Sequence, residues 1–317
     1  MRVLITGATG FVGSALAAVC VSAGDDVHGT NQDPPAETMP GVTLHAIDLL
    51  DAPAVDDLVE DVQPDVIYHL AAQSSVAESL ARPLQTHYAN IGMQFNVLEA
   101  VRRHRSRARV VVTGSSDEYG RPRRNPVDED HPLEPITPYA VSKVTQDVMA
   151  YQYAMAYGLE TTIARPFVQL GPRRSDRFVA GAFARQIAEI EMRRRPPVID
   201  VGNVDLVRDF TDVRDVARAL RLLAHQGLPA AAYNVASGQG HTLRELLSTM
   251  LAAAGTDAEI RVDPARVREG EAPVIVGSTA KLFRDTGWSP QIPFEQSARD
   301  TLAWWTERLR AGTTAAL

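Results

Sequence analysis

Over the first half of the chain, short runs of β-branched and other apolar residues alternate with longer stretches whose apolar positions recur at helical spacing. Residues 3–6, 26–30, 42–47, 66–70, 109–113 and 161–165 read as strands. A helix is predicted over 11–23, stopped by Gly24, and helical segments lie between most of the other strands. This alternation predicts an α/β chain with a mostly parallel, doubly wound sheet. The second half is less regular: turns around Pro172 and Pro196–Pro197, helices near 178–192 and 212–226, a capped helix after Thr242, and an amphipathic helix over 294–309. Residues 1–165 are expected to form the first domain, with 211–236 returning to it, and 166–317 mainly a smaller substrate-binding domain. The stretch 121–138 carries five prolines and four acidic residues and reads as a long surface loop, the kind that is usually functional.

Composition narrows the chemistry. A length of 317 residues suits one large domain or two modest ones. The net charge of −7 gives no general attraction to nucleic acid or to an anionic membrane, so an anionic ligand must be held by local cations. With Cys20 as the one cysteine, an internal disulfide framework and a cysteine-rich metal site are excluded, and no metal is expected. Cys20 itself lies in the apolar run ALAAVCV and reads as a small core residue. MRVLITG is not a signal peptide, and no apolar run approaches the ~18 residues of a membrane span, so a cytoplasmic enzyme is expected.

Straight after the first predicted strand comes GATGFVG, with Gly7, Gly10 and Gly13 followed into the helix by Phe11 and Val12. One glycine permits a tight turn, the next lets backbone approach a pyrophosphate, and the third lets helix and strand pack closely, with the helix N-terminus facing the phosphate charge. A lone glycine trio is weak evidence; the strand–turn–helix context is what gives it weight and points to a dinucleotide site on a Rossmann-type fold. Asp48, followed by Leu49, closes the third strand, where a carboxylate accepts from an adenine amine or is merely an exposed loop acid. In HLAAQSS, the small residues after Leu70, Ala71 and Ala72, let a cofactor lie close to the sheet edge, with Ser75 a substrate contact. The second strand ends Thr30-Asn31-Gln32-Asp33, with Asn31 where an acid marks NAD, while an NADP site often has a nearby Arg. The choice between NAD and NADP stays open on these residues.

TPYAVSK places Tyr139 four residues before Lys143, on one face of a helix begun by Thr137 and Pro138 and ended at Gly158. A phenol is a poor acid–base group at neutral pH, but a nearby ammonium favours the phenolate. TGSSDEYG closes the fifth strand, where a serine either bonds a reacting oxygen or only caps a turn; Ser115 is favoured, with Ser116 the fallback.

GATGFVG, HLAAQSS, GSSDEYG, TPYAVSK, VGNVDLVRDFTDVRD and YNVASG together resemble the extended short-chain dehydrogenase/reductase family over nearly the whole chain. Within it, GSSDEYG, FARQIAEIE…VIDVGN and DPARVRE…AKL…TGW are most similar to the GDP-4-keto-6-deoxy-D-mannose reductases, which form GDP-D-rhamnose. The resemblance implies that Ser115, Tyr139 and Lys143 form the triad, that Tyr139 protonates the sugar 4-oxygen as hydride reaches C4, and that Lys143 also holds the nicotinamide ribose. Related dehydratases carry a glutamate base two residues before the tyrosine of the YG pair. Asp117 stands there, a shorter side chain that argues against sugar dehydration. Ser116 and Asp117 are also expected to meet the substrate.

For a nucleotide diphosphate, the resemblance assigns Arg208 and Arg266, whose guanidinium forks suit phosphate; the plain alternative for each is a surface ion pair. Arg268 lies in the same DPARVRE run. The reductases usually read RPFNH before a GPGQ-like turn, whereas this chain reads RPFVQLGPRR, putting Val168 and Gln169 in the sugar contact and offering Arg173 and Arg174 as phosphate ligands. The arginine runs 102–109 and 193–195 read as solvated helix ends and loops. A GDP-linked substrate and a homodimer, formed through the Tyr139 helix and the one preceding Arg102, are the implied partners. On the Tyr139 helix, Val144, Val148, Met149 and Met155 face either core or a second subunit. A nucleotide-sugar 4-epimerase or 4,6-dehydratase is the nearest alternative, and a non-catalytic cofactor sensor a remoter one.

Overall fold

The computed structural model describes residues 1–32, 38–267 and 270–312. Asp33 and Arg268 lie outside the described residues. The first half runs β1 (Arg2–Thr6), α1 (Phe11–Ser22), β2 (Asp26–Asn31), β3 (Val42–Ala46), α2 (Ala52–Val62), β4 (Val66–His69), α3 (Val76–Ala81), α4 (Pro83–Arg103), β5 (Arg109–Thr113), α5 (Pro138–Tyr157) and β6 (Thr161–Pro166). It continues through β7 (Val168–Leu170), α6 (Val179–Glu191), β8 (Val198–Val201), β9 (Val207–Asp212), α7 (Val213–Gln226), β10 (Ala232–Val235), β11 (Gly240–Thr242) and α8 (Leu243–Ala254). β12 (Glu259–Val262), β13 (Val274–Ile275), α9 (Ala280–Thr286) and α10 (Phe294–Arg310) complete the order.

Seven strands form one sheet in the order β10-β6-β5-β4-β1-β2-β3, every neighbouring pair parallel. A parallel sheet covered by helices on both faces needs apolar side chains on both. Accordingly every residue of β4 and β6 is buried. On one face Leu16, Ala17 and Cys20 of α1 pack with Val216, Leu220 and Leu223 of α7 and with Trp288; on the other, Leu98 and Val101 of α4 meet Val59, Ala150 and Tyr153. Chain order reverses between β1 and β4, opening a crevice at the C-terminal ends of the strands, where ligands of such sheets bind.

The second lobe gathers α6, α8 and α10 around Phe183, Ile187, Leu246, Leu247, Leu302 and Trp305. β9 is its spine, flanked by β11 and β13 and paired with β7, while β8 pairs with β12. α8 starts at a reciprocal cap in which Thr242 accepts from the Glu245 N–H and Glu245 from the Thr242 N–H. No helix among the described residues is long and apolar enough to cross a membrane.

Residues 121–137 form a long loop as expected, exposed or half-buried except at two anchoring positions. Val127 and His131 are buried, and Val127 bridges to the β13 region, its N–H donating to Val276 O and its carbonyl accepting from Ser278 N, both at 2.7 Å. Asn234 Nδ2 donates to the same carbonyl at 3.0 Å. A buried backbone must find partners, and this segment finds them by stitching the two lobes together.

Candidate active site

The glycine turn is held by sterics. Gly7 adopts φ +68°, and a Cβ there would lie 3.1 Å from the Ala71 backbone. At Gly13 a Cβ would come within 2.2 Å of the Gly7 carbonyl oxygen, so no larger residue lets α1 close on β1. Thr6 Oγ accepts from the Leu70 and Ala71 N–H groups at 3.0 and 3.1 Å, fixing HLAAQSS beside the turn. These tight approaches leave backbone facing a cleft of about 1070 Å³. Gly7, Gly10, Phe11, Val12, Gly13, Asn31, Asp48, Leu49, Leu70, Ala71 and Ala72 all line it. Asn31 Oδ1 accepts from Thr9 Oγ at 2.9 Å, and Asp48 Oδ1 from the Leu50 N–H at 2.9 Å. A glycine cradle that side chains would fill, at a helix N-terminus, fits the diphosphate of a dinucleotide.

The same cleft is lined by Ser75, Ser115, Ser116, Asp117, Tyr139, Lys143, Val168, Gln169, Arg208 and Arg266. Thr137 caps α5, accepting from the Ala140 N–H at 3.1 Å, and Pro138 opens it. Tyr139 and Lys143 are therefore one turn apart on its buried face, the ammonium 6.0 Å from the phenol ring centre. Lys143 Nζ donates to Thr113 O at 2.7 Å, tying the helix to the end of β5. Burial lowers the Lys143 ammonium to about 8, with Glu118 opposing the fall. Burial pushes the Tyr139 phenol well above its usual value, Asp117 adds to the rise, and the Ser115 hydroxyl and Arg174 act against it. His69, behind them, is lowered to about 3 by burial and by Lys143, so it is neutral. Asn90 and Gln146 pin α4 and α5 together, Gln146 donating to Asn90 O at 2.8 Å and Asn90 to Ser142 Oγ at 2.9 Å.

Arg208 is half-buried, and its Nη1 donates to Val207 O and Ala272 O at 2.9 Å each while the residue lines the cleft. Arg266 is exposed and 3.3 Å from Asp263. Arg173 does not line the cleft, whereas Arg174 does, its guanidinium 4.9 Å from the Phe11 ring centre and 3.9 Å from that of Phe178. Burial lowers Arg174 to about 10, and its Nε has no hydrogen-bond partner. Phe178 carried no signal in the sequence, because its place in the cleft against Arg174 follows from tertiary packing. The arginines of 102–109 and 193–195 are largely engaged elsewhere, Arg102 with Glu99, Arg109 with Glu160 and Arg195 with Asp200.

Comparison with known proteins agrees with this geometry. The family model described as GDP-mannose 4,6 dehydratase matches residues 4–301. A GDP-6-deoxy-D-mannose reductase of Pseudomonas aeruginosa is 36% identical over 312 residues, 98% of each chain. A GDP-mannose 4,6-dehydratase of Yersinia enterocolitica is 29% identical, over 95% of this chain and 93% of its own. Among solved structures, RMD from Pseudomonas aeruginosa complexed with NADPH superposes with TM-score 0.85 at 33% identity, covering 97% of this chain and 100% of its own. UDP-glucose 4-epimerase from Thermus thermophilus in complex with NAD superposes with TM-score 0.87 at 30% identity, covering 96% and 99%. With its parallel sheet, glycine turn and Tyr139–Lys143 helix, the chain belongs to the GDP-mannose 4,6-dehydratase family of extended short-chain dehydrogenases.

Proposed function

We propose that this protein is an NAD(P)H-dependent 4-ketoreductase that converts GDP-4-keto-6-deoxy-D-mannose to GDP-D-rhamnose. The observation that carries the reading is Asp117, which lines the same cleft as Tyr139 and Lys143 and acts on the Tyr139 phenol. A dehydrating relative needs a base long enough to reach C5, and the aspartate is one methylene shorter than the glutamate found there. The 36% identity to a GDP-6-deoxy-D-mannose reductase over 98% of both chains supports it.

When bound, a reduced nicotinamide supplies hydride. Gly7, Gly10 and Gly13 hold its diphosphate, and Lys143 holds its ribose. Tyr139 gives its proton to the sugar O4 as charge develops there, Ser115 donates to the same oxygen, and the ammonium of Lys143 stabilises the phenolate left behind. Arg208 and Arg266 take the substrate diphosphate, and Val168 and Gln169 shape the sugar pocket. Arg174, a cation without a carboxylate partner among the described contacts, lines the same cleft and is a further ligand for phosphate. The decisive experiment incubates the purified protein with GDP-4-keto-6-deoxymannose and each reduced cofactor in turn. Loss of absorbance at the reduced-nicotinamide band is expected with at least one; no cofactor oxidation with either overturns the reading. Comparing NADPH with NADH settles which cofactor is used.

The assembly we propose is a homodimer through α4 and α5. Leu84, Tyr88 and Phe95 of α4 and Val148, Tyr151 and Met155 of α5 are exposed apolar side chains, while Val144 and Met149 are half-buried. Sedimentation at micromolar concentration should give twice the chain mass, and a monomer refutes it.

A further inference from the structure

Arg174 has its backbone in the second lobe and its side chain against the first. Trp305 Nε1 of α10 donates to the Arg174 carbonyl oxygen at 3.0 Å. A Cβ at Gly181 of α6 would lie 2.5 Å from that oxygen, so no larger residue lets the helix close on this loop. Gly171, three residues earlier, donates from its N–H to Thr301 Oγ at 2.9 Å. The guanidinium, in contrast, stands 4.9 Å from the ring centre of Phe11, with Phe178 at 3.9 Å from it as well. Phe11 is the first residue of α1 and directly follows Gly10 of the glycine turn. A cation against its ring is within one side chain's length of that helix N-terminus.

Both partners of this contact lack something. Arg174 Nε is shut from solvent without a hydrogen-bond partner, and no oxygen among the described residues accepts from this guanidinium. The other cations lining the cleft are engaged or solvated. Lys143 donates to Thr113 O, Arg208 to Val207 O and Ala272 O, and Arg266 to Asp263, while Arg177 is exposed. Aromatic faces attract a guanidinium but accept none of the N–H bonds in its plane, and a sequestered cation without acceptors is costly. α1 has the complementary want. Gly10 offers it no side-chain cap and its first turn holds no acidic residue, so its first N–H groups are left for an anion.

We propose that Arg174 is a ligand of the cofactor's diphosphate, a cation that the second lobe supplies to the glycine turn of the first. The inference deepens the proposed function and rests on its nicotinamide site, not on its sugar. It gives Arg174 to the cofactor and leaves the substrate diphosphate to Arg208 and Arg266. Each lobe then carries part of one phosphate site, and the bound cofactor ties residues 171–178 to α1.

The test is Arg174→Met, which fills a similar volume and removes the cation. NADPH and NADH binding are followed by reduced-nicotinamide fluorescence. Both cofactors carry the diphosphate, so both should bind at least about tenfold more weakly, the size expected for one charge-assisted bond to phosphate. GDP, which stands for the other diphosphate, should bind within about twofold of the parent by calorimetry. The melting temperature of the cofactor-free variant should hold or rise, because a sequestered cation without an acceptor is gone. Unchanged cofactor affinity, with or without a fall in melting temperature, marks a packing residue and overturns the proposal. A loss confined to NADPH assigns Arg174 to the adenosine 2′-phosphate, and a loss confined to GDP assigns it to the substrate; either overturns it. If the parent protein takes only NADPH, ADP-ribose replaces NADH, since it keeps the diphosphate and lacks the 2′-phosphate. If Arg174→Met does not fold, Arg174→Gln, which keeps donors without the charge, is held to the same comparison. A parent protein that binds neither cofactor overturns the nicotinamide reading and this inference with it. One that binds cofactor but not GDP overturns the guanosine reading, while the cofactor titrations still judge Arg174.

Discussion

Replacing Lys143 by Met should stabilise the empty protein and disable it. The ammonium is 3% exposed, and burial brings it from the ordinary lysine range down to about 8. That displacement corresponds to about 3 kcal/mol held against folding at neutral pH. Methionine removes this cost and fills similar volume, but it leaves the Thr113 carbonyl without its 2.7 Å donor, a loss of about 1 kcal/mol. The net gain is about 2 kcal/mol, a rise of about 3 °C in melting temperature for a chain of this size. The pH dependence follows from the direction of the shift. Below about pH 8 folded and unfolded chains both carry the proton, so the full cost of the buried charge is present. Between about 8 and about 10.4 the unfolded chain still holds that proton and the folded chain does not, so the parent protein gains stability with rising pH and closes the gap. Calorimetry of both proteins, free of cofactor, at pH 7 and at about pH 9.5 measures the difference. A variant that melts below the parent at pH 7, or a gap that does not narrow at high pH, refutes the reasoning. Reduction should fall by about 10²-fold or more in the same variant.

Tyr139→Phe should lower kcat by about 10²–10⁴-fold while NADPH affinity, measured by fluorescence, stays within a few-fold. Gly13→Ala forces a Cβ to within 2.2 Å of the Gly7 carbonyl oxygen. It should cost about 1–3 kcal/mol in urea unfolding and abolish measurable cofactor binding. His69 is neutral in the fold down to about pH 3, whereas the unfolded chain takes up the proton near 6.5, so this group withdraws stability as pH falls through that window. At about pH 4.5 the loss from it is about 2–3 kcal/mol, and His69→Gln should reduce the acid sensitivity by that amount in urea melts at pH 7 and pH 4.5.

Much of the site was legible because its chemistry is local in sequence. The glycine spacing, the cap at Thr137 and the four-residue step from Tyr139 to Lys143 each concern residues within two helical turns, where geometry follows from backbone periodicity. The Ser115…Glu118 cap was legible in principle as well, since S-x-x-E is the pattern of a capping box, but that pattern ordinarily marks an exposed helix start. Arg165 and Asp147, which enclose that glutamate in a buried polar cluster, are 47 and 29 residues away from it in the chain. The anchor within the 121–138 loop was not legible for a related reason: its prolines and acids are exposed or half-buried, while Val127 is sealed by partners in β10 and beside β13.

Taken by itself, the sequence determined the alternation of strands and helices, the dinucleotide turn and the residues that line one helical face, because each depends on short-range sterics and hydrogen bonding. Only the tertiary structure decided which cations face the cleft. Arg174 and Arg173 are adjacent and chemically identical, yet one is wedged between Phe11 and Phe178 in the cleft and the other does not line it. It likewise decided that Lys143 and Glu118 share a buried environment, because desolvation and distant charges act through space and leave no periodicity in the chain.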